Sequence, residues 1–443
     1  WPEASSSESP GAVVYQRNSD ATWSEHTMLD TGSAGYHSQF GSAVALRDDI
    51  AIVGSRGDNP AGNASGSSTI YRYSPSADTW TIEHELRGWN VQSADYYGTS
   101  VAACARGVSV GCPRWNFFSE DAGAAFFYTR RHGDGDNEWQ HDGREIRPCI
   151  PAEQRIANES ASSGYASFGR SLAVTGNAAV VGDPYALNGG TDPVGTVQFM
   201  GRVDVSAEWE TVSGKDFVLP SGLEAWEFFG YSVAIDGNLA LVGGPDHNSG
   251  AGHVWVYLNV GGTWSPVQEL VPTESDSDFG TDVAIARGGG DAYFVVGAPG
   301  SISNHSTCGQ VYVYRWDDFD VWASAIEIVS EYGWFSGTSS FGESVDVEYQ
   351  SDGSLRLAVG NSWYGSGSPG CGCVDVYQIT DFFGSWTHYF QSRMHPYTDA
   401  APTYEGSFAA SDVELSGDYI IANMPTATYS SGYRGGIAAV YKL

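Results

Sequence analysis

Basic residues are scarce in this sequence. Its 443 residues include 21 Lys and Arg against 53 Asp and Glu, which gives a formal net charge of −32 at pH 7. Nucleic-acid phosphates and anionic membrane surfaces are bound mainly through Lys and Arg side chains, so the composition predicts a protein that binds no nucleic acid. The acidic balance suits solubility, cations or a basic partner, and an acidic, solvated surface is its simplest interpretation.

Long hydrophobic runs are absent as well. No stretch reaches the roughly 18 apolar residues that a membrane-spanning helix needs, so the sequence predicts no insertion into a membrane. The first residues, Trp1 and Pro2, include neither an initiator methionine nor a signal peptide, which indicates a processed mature chain. Three Asn-x-Ser motifs in predicted loops, together with six cysteines, indicate a secreted, extracellular glycoprotein. The predicted N-glycosylation sites are Asn63, Asn158 and Asn304.

Contiguous catalytic motifs are also missing. The ten histidines include no HExxH pair, no nucleophile elbow stands between a strand and a helix, and no phosphate-binding glycine loop precedes a helix. A pair of carboxylates for glycoside hydrolysis could come from any of the 53 acids, and nothing singles out one pair. The sequence therefore predicts no catalytic residue, no metal site and no cofactor, and a protein that is not an enzyme.

Glycine and aromatic residues are abundant, and they recur in a fixed order. The order is clearest between Phe229 and Trp264, where strand-like runs at 231–235, 239–242 and 253–257 are separated by turns rich in glycine and asparagine. Both residues tolerate the positive φ that a tight hairpin turn requires. A fourth strand-like run begins at Trp264. A single four-stranded sheet is marginal in water, so this unit needs copies of itself.

The sequence supplies seven copies. The tryptophan that opens the fourth strand recurs about every 60 residues, a period typical of propellers and solenoids. We therefore predict an all-β fold: a seven-bladed β-propeller of four-stranded antiparallel blades over residues 11–443, preceded by a flexible segment at 1–10. The Phe-Gly and Trp positions are interpreted as packing residues. The opening pairs are Phe40-Gly41, Tyr97-Gly98, Phe168-Gly169, Phe229-Gly230, Phe279-Gly280, Phe341-Gly342 and the altered pair Phe408-Ala409.

The chain starts and ends in the middle of a repeat. Residues 11–15 fit a third strand and 23–29 a fourth, whereas 408–443 supply the first three strands. We therefore predict that the N- and C-terminal strands share one blade and close the ring without a dangling edge. One strand is in excess, because both 11–15 and 436–441 fit the third-strand pattern. It could extend the closing blade, or it could add to the edge of another subunit and so support self-assembly.

The cysteines allow a small set of pairings. Cys104 and Cys112 would lie roughly 17 Å apart along one strand, too far for a disulfide. Cys112 could pair with Cys149 at one rim of the second blade, and Cys308 with Cys371 or Cys373, because these residues begin third strands in neighbouring blades. A metal site at Cys371-Gly372-Cys373 is the alternative, but no CxxC pair accompanies it. The full set is Cys104, Cys112, Cys149, Cys308, Cys371 and Cys373.

The order of sub-motifs FG-x-S-V-A, x-VG-x-P, G-x-V-x-VY and W resembles the FG-GAP repeat over about residues 11–443. That repeat builds the seven-bladed head of integrin α subunits and many secreted microbial and protist proteins, so the resemblance implies an extracellular propeller. Integrin-like blades can carry an Asp-rich calcium loop between their first two strands. Here those turns are short, as at Asp236-Gly237-Asn238, and lack the six to eight oxygen ligands of Ca²⁺. The calcium sites of the family are therefore not expected.

One short motif points to adhesion. Arg56, Gly57 and Asp58 match the integrin-recognition tripeptide within a loop rich in Gly, Asn and Ser. The sequence as a whole predicts an extracellular, non-enzymatic binding, adhesion or structural module that presents loops on a rigid propeller to a protein or glycan ligand. Two alternatives stay open. One is a building block of an extracellular filament, sheath or wall assembly, and the other is a polysaccharide-active glycosidase or lyase.

Overall fold

A computed structural model of the chain shows strands joined by turns and, within the residues it describes, one short helix. In the part of the chain that it describes, no helix is both long and apolar enough to cross a bilayer. The described residues are 11–17, 23–30, 39–105, 107–116, 122–130, 139–140, 167–187, 192–203, 209–212, 219–272, 277–303, 306–307, 309–316, 321–329, 340–362, 373–382, 385–394, 411–417, 419–424 and 437–442.

The described chain begins with two strands, continues through six antiparallel sheets of four strands each, and ends with three further strands. The opening strands are β1 (Gly11–Arg17) and β2 (Trp23–Asp30). The first three sheets are β3 (Phe40–Arg47), β4 (Ile50–Ser55), β5 (Ser67–Ser74) and β6 (Thr79–Leu86); β7 (Val101–Cys104), β8 (Gly107–Cys112), β9 (Ala124–Arg130) and β10 (Trp139–Gln140); and β11 (Ser171–Thr175), β12 (Ala178–Asp183), β13 (Thr196–Gly201) and β14 (Glu210–Thr211).

The fourth to sixth sheets follow the same plan with two small insertions. The one-turn helix α1 (His247–Gly250) joins the second and third strands of the fourth sheet, and a ribbon of β21 (Ile302–Ser303) and β22 (Ser306–Thr307) occupies the same place in the fifth. The sheets are β15 (Ser232–Asp236), β16 (Leu239–Gly244), β17 (His253–Val260) and β18 (Thr263–Leu270); β19 (Val283–Gly288), β20 (Asp291–Ala298), β23 (Gln310–Trp316) and β24 (Val321–Val329); and β25 (Phe341–Tyr349), β26 (Leu355–Asn361), β27 (Cys373–Phe382) and β28 (Ser385–Met394). The final strands are β29 (Val413–Ser416), β30 (Tyr419–Met424) and β31 (Ile437–Lys442).

A central channel of about 520 Å³ runs between the sheets. Its wall is made by the innermost strand of each four-stranded sheet together with β29. Sheets arranged radially around one channel are the blades of a propeller, in which the faces of neighbouring blades bury each other. The prediction of an all-β propeller is therefore confirmed. The innermost strands are β3, β7, β11, β15, β19, β25 and β29.

The two ends of the described chain meet in one sheet, whose strand order is β2-β1-β31-β30-β29. Strand β1 runs parallel to β31, with Val13 opposite Ala439 and Tyr15 opposite Tyr441. The excess strand therefore extends the closing sheet, which is the first of the two alternatives, because it pairs with the edge that β31 leaves open. This sheet has five strands, so the prediction that every blade has four is wrong here and holds for six sheets.

The repeated glycines mark where neighbouring blades touch. A Cβ atom added to Gly182 of the Val-Gly motif would lie 2.1 Å from the backbone oxygen of Gly230 in the next Phe-Gly motif. Gly230 itself has φ of +89°, a conformation that favours glycine. The adjacent Phe229 is fully buried and pairs through its backbone with Gly195 of the preceding blade. The two glycine motifs thus allow backbones of adjacent blades to approach directly.

The tryptophan of the fourth strand also packs between blades. The Trp264 ring lies parallel to Phe199 of the preceding sheet, with 4.5 Å between ring centroids and 9° between planes. Trp209 and Phe127 repeat this contact one blade earlier at 4.8 Å. Both tryptophans are buried. Their predicted role as packing residues is therefore observed, since large aromatic rings contribute most to core burial.

Candidate functional site

The residue that follows each Phe-Gly pair faces the central channel. It stands at the start of the innermost strand of its sheet. Its side chain therefore lines the channel at the end where these innermost strands begin. At this end the structure gathers Arg170, Tyr231 and Glu343 from the third, fourth and sixth sheets. Arg56, from the loop after β4, joins them. We call these four residues the channel-mouth group.

Two guanidinium groups give the mouth a positive side. Burial, and then the charge of Arg170, lowers the pKa of Arg56, so the two cations lie close enough to repel each other. Arg56 Nε donates a hydrogen bond to Gln39 Oε1 at 2.7 Å, and the Arg170 guanidinium lies 5.8 Å from the centre of the Tyr231 ring. Among the described residues, neither arginine forms an ion pair with a carboxylate. Paired, uncompensated guanidinium groups form a site for a planar anion.

A carboxyl and a phenol complete the channel mouth. Glu343 is half-buried and accepts a hydrogen bond from Ser362 Oγ. Burial raises the pKa of Glu343, and it raises the pKa of Tyr231 as well. A carboxyl group whose pKa is raised holds its proton closer to neutral pH, which is what a general acid requires. The channel mouth therefore holds two guanidinium groups that could bind an anion and a carboxyl group that could donate a proton.

Three aromatic side chains lie together near Tyr231, in the loop after β12 and in the connection before β15. Trp226 is 54 % exposed and stands edge-on to Phe228, with ring centroids 6.3 Å apart. Tyr185 lies 5.1 Å from the same Phe228 ring, and it adds to the effect of burial in raising the pKa of Tyr231. Exposed aromatic rings beside a few convergent polar groups are typical of small-molecule sites.

The wall formed by the last three innermost strands is acidic. Carboxylates here accept hydrogen bonds from the backbone of the next sheet, so each one fixes a blade to its neighbour. Burial raises the pKa of Asp346 to about 7 and that of Asp412 to about 6. The bonds run from Val345 N to Asp282 at 2.7 Å, from Leu415 N to Asp346 at 2.5 Å and from Val44 N to Asp412 at 2.8 Å.

We expect this acidic wall to make the protein less stable as the pH rises from about 4 to about 7. A carboxyl whose pKa is higher in the folded than in the unfolded chain favours folding when protonated, so its contribution is lost as the pH passes through the folded value. The Asp346→Asn variant removes the charge and keeps one of the two oxygens that accept backbone hydrogen bonds, which come from Leu415 N and Val347 N. Its Tm should exceed that of the wild type by several degrees at pH 8, and the two should converge near pH 4.5.

A thermal-unfolding series from pH 4.5 to pH 8 measures this difference. Asp246→Asn is the matched control, because Asp246 is exposed. The comparison between variants is needed because burial also lowers the pKa of His253 to about 3. This second effect makes the protein more stable as the pH rises, and it is the same in the wild type and in both variants. An Asp346→Asn protein that is no more stable than the wild type at pH 8 would contradict the prediction.

A second polar cluster lies at the rim of the fourth sheet. Glu227 comes from the connection before β15, His247 opens α1, and His253 opens β17. Glu227 and His253 are each 1 % exposed. His247 Nδ1 lies 2.7 Å from Glu227 Oε1, and the two imidazole rings stack at 4.2 Å. Burial raises the pKa of Glu227.

His253 is held by a further carboxylate. Its Nδ1 lies 3.1 Å from Glu269 Oε1 on β18, while its Nε2 faces Glu227 Oε2 at 4.0 Å. Among the described residues, Glu227, His247 and His253 are the one group whose ligand atoms could hold a metal ion. The sequence did not indicate this cluster, because 20 residues separate Glu227 from His247. The available signal was that both histidines flank the loop between the second and third strands.

The predicted adhesion motif is spread over two environments. Arg56 belongs to the channel mouth, as described above. Asp58 accepts hydrogen bonds from Ser67 Oγ at 2.7 Å and from Asn59 N at 2.8 Å, so it is held within its own loop. Gly57 lies between them and is half-buried. Use of the tripeptide in adhesion stays a prediction.

One predicted glycosylation site lies in the described part of the chain. Asn63 is exposed on the loop between β4 and β5. Asn158 and Asn304 lie outside the described residues. Modification of all three sites stays a prediction.

Three of the cysteines can be placed. Cys104, Cys112 and Cys373 are buried free thiols. Cys112 Sγ donates to the backbone oxygen of Asp95 at 3.3 Å, and burial raises the pKa of this thiol. The predicted bonds of Cys112 to Cys149 and of Cys373 to Cys308 stay predictions, because each needs a partner that the structure does not describe. Cys149, Cys308 and Cys371 lie outside the described residues, and a bond between Cys308 and Cys371 stays a prediction.

Solved structures share the fold at low sequence identity. The periplasmic gluconolactonase PpgL of Pseudomonas aeruginosa is 12 % identical, with 88 % of this chain and 93 % of that chain covered and a TM-score of 0.51. A protein of Bacteroides uniformis, provisionally assigned as a 6-phosphogluconolactonase, is 10 % identical, with 88 % and 97 % covered and a TM-score of 0.48. At such identities the likeness concerns the fold alone. No curated protein matches the sequence.

The prediction that the protein is not an enzyme is corrected by this comparison. It was inferred from the lack of catalytic motifs contiguous in sequence. PpgL is named as a gluconolactonase, so a propeller of this kind can carry an enzymatic site. In the present structure, Arg56, Arg170 and Glu343 come from separate sheets to one channel end, an arrangement that no short motif could indicate.

The family itself is identified by sequence. Residues 23–71 match the model of the FG-GAP repeat. The matched region covers β2 to β5 and includes the first Phe-Gly and Val-Gly motifs, which contact the neighbouring blade in the way described above. The same motifs recur in the later sheets with the same contacts. The chain is therefore a β-propeller in which residues 23–71 match the FG-GAP repeat.

Proposed function

We propose that the protein is a carbohydrate-active enzyme that acts on sugars carrying a carboxylate, at the channel mouth. The observation that carries this proposal is that Arg56, Arg170 and the half-buried carboxyl of Glu343 line the same walled channel at one end. It corresponds to the alternative of a polysaccharide-active glycosidase or lyase. An extracellular location suits such a substrate and is part of the same proposal.

The two arginines would bind the substrate carboxylate. Guanidinium groups donate paired hydrogen bonds to planar oxyanions, and a low local dielectric strengthens them. The channel is electrically asymmetric, because the arginines lie on the first and third sheets and the acidic wall on the last three. A substrate carboxylate would therefore be directed to one side. The exposed Trp226 and its aromatic neighbours would contact the apolar face of a sugar ring.

Glu343 would transfer the proton. Since burial raises its pKa, protonated Glu343 can donate its proton to the leaving glycosidic oxygen. Water then bonds to the sugar carbon in place of the leaving group, and the Glu343 carboxylate takes up the proton that this water loses. Ser362 Oγ donates to this carboxyl and would hold it in place. The charges of both Arg170 and Glu343 act on the pKa of Tyr231, which indicates that its phenol lies near both side chains. This phenol would help to orient the substrate. General acid–base catalysis of this kind contributes about 10²- to 10⁴-fold to rate.

The test uses matched substrates and matched variants. Oligosaccharides that contain uronic acids, their neutral counterparts and aldonic lactones are incubated with the wild type and product is measured by chromatography. We expect turnover of a carboxylate-bearing substrate only. Glu343→Gln should lower kcat at least about 100-fold, and Arg170→Met should raise KM for the acidic substrate.

Arg287→Met is the control, because Arg287 donates to Asn238 outside the channel mouth. Equal kinetics for Arg170→Met and Arg287→Met, or no turnover of any acidic sugar, would contradict the proposal.

We also infer that the closing sheet serves as a seventh blade, because β29 borders the channel as the innermost strands of the six four-stranded sheets do. An electron-microscopy view along the channel axis would check the count. No observation favours the filament alternative, since β1 pairs on both sides within its sheet.

A further inference from the structure

We propose that Glu227, His247 and His253 bind a Zn²⁺ ion at the rim of the fourth sheet. This site is separate from the channel-mouth group, and the proposal does not depend on the proposed enzymatic function. Two imidazoles and one carboxylate are a ligand set that zinc proteins use when a fourth position is left for water.

Two buried atoms in this cluster lack a hydrogen-bond partner among the described residues. They are Glu227 Oε2 and His253 Nε2, which face each other at 4.0 Å. That separation exceeds hydrogen-bond length, so a proton shared between them does not satisfy either atom. A buried polar atom without a partner has lost its contact with water and gained nothing in exchange, which destabilises the fold. A cation between the two atoms would satisfy both.

The tautomer of His253 supports the same assignment. Glu269 Oε1 lies 3.1 Å from His253 Nδ1, so that nitrogen carries the hydrogen and donates it. The Nε2 atom is then left with a lone pair directed at Glu227. A carboxylate that binds the far nitrogen of a metal-bound histidine is the usual second layer of a zinc site, since it fixes the ring and raises its basicity.

The third ligand and the available space complete the site. The candidate ligand atoms of the three residues all lie within 4.8 Å of one another. Zinc bonds of about 2.0–2.2 Å place tetrahedral ligands roughly 3.4 Å apart, so the most widely spaced ligand atoms would draw together by at most about 1.4 Å. His247 has 24 % of its side chain exposed, which gives an ion access from solvent.

A glycine keeps this space open. A Cβ atom added to Gly244 would lie 2.5 Å from His253 Nε2 and 3.1 Å from the backbone oxygen of Glu227. The missing side chain at Gly244 thus leaves free the imidazole nitrogen that would bind the metal. Bound zinc would join the connection before β15, α1 and the start of β17 into one rigid unit.

Metal binding is tested on the whole chain. Protein freed of metal with a chelator is titrated with Zn²⁺ by calorimetry and with Co²⁺ by visible absorption. We expect one Zn²⁺ per chain, visible bands of four-coordinate Co²⁺, and a Tm that rises by a few degrees with excess Zn²⁺. Glu269→Gln should weaken binding about 10- to 100-fold, and Glu227→Gln and His253→Gln should weaken it more.

His84→Gln is the matched control, because His84 is an exposed histidine on the first four-stranded sheet. It should bind zinc as the wild type does. The proposal would be overturned if the wild type showed neither saturable zinc binding nor Co²⁺ bands, a result that does not depend on whether any variant folds. It would also be overturned if a folded Glu227→Gln or Glu269→Gln protein bound zinc as tightly as the wild type. Glu343→Gln should keep full zinc binding, which separates this test from that of the proposed function.

Discussion

The Gly243→Ala variant is expected to lose about 3 kcal/mol of unfolding free energy, near the upper end of the range for overpacking. The added Cβ atom would lie 2.2 Å from the backbone oxygen of Gly280 and 2.3 Å from Ser232 Oγ. The first neighbour is backbone and cannot rotate away. Gly280 is further fixed by its φ of +91° and by the bond that its N–H donates to Gly297 at 3.0 Å.

Chemical denaturation followed by tryptophan fluorescence measures the loss. Gly261→Ala, in the hairpin turn of the same sheet, is the matched control. Gly261 has φ of +61°, and an added Cβ atom would have no neighbour within 4 Å, so the substitution carries backbone strain without a clash. It should cost only about 1 kcal/mol. Similar losses for the two variants would show that the glycine of the Val-Gly motif is not a contact between blades.

The fold could be predicted because the contacts between neighbouring blades require the same residue types in every repeat. Each blade repeats Phe-Gly and Val-Gly, and the pair Gly182 and Gly230 shows that both glycines are needed at one contact. No other residue type allows this close approach unless the backbone moves. The glycines can therefore be recognised in the successive repeats. The tryptophan of the fourth strand can be recognised for a similar reason, since Trp264 packs in a fixed position against Phe199.

The closing sheet could be predicted only in outline. The pattern of β1 indicates a strand, but periodicity does not state which edge a strand will join. Its parallel pairing with β31 is set by the position of the two ends in the closed ring. Five strands in that sheet therefore follow from tertiary structure and not from local pattern.

The candidate sites were missed because their residues are distant in sequence. Arg170, Tyr231 and Glu343 occupy one position of the repeat, the residue after Phe-Gly, where the copies differ. The neighbouring positions are constant because they hold the blades together. A position that varies between repeats and faces the channel can carry functional side chains, since the neighbouring positions maintain the fold. This variation was the feature of the sequence from which the site could have been predicted.

The Arg393→Met variant is expected to lose about 3–5 kcal/mol of unfolding free energy, the range for removing one partner of a buried ion pair. Arg393 and Asp375 stand opposite each other on β28 and β27 and form two parallel hydrogen bonds, with 2.5 Å between Arg393 Nε and Asp375 Oδ1. Asp375 is fully buried. Without the guanidinium, the buried carboxylate would lose two charge-assisted hydrogen bonds and the positive charge of Arg393.

The pH dependence and a second substitution identify this cause. Loss of the cation should raise the pKa of Asp375 in the folded variant, so the folded state would take up a proton, and the deficit against the wild type should shrink as the pH falls towards 4. Asp375→Leu combined with Arg393→Met removes both charges and should recover most of the stability. Arg87→Met, at a pair with 62 % and 38 % of its side chains exposed, should change stability by less than about 1 kcal/mol. If the double variant is as unstable as Arg393→Met alone, lost packing and not an unpaired charge is responsible.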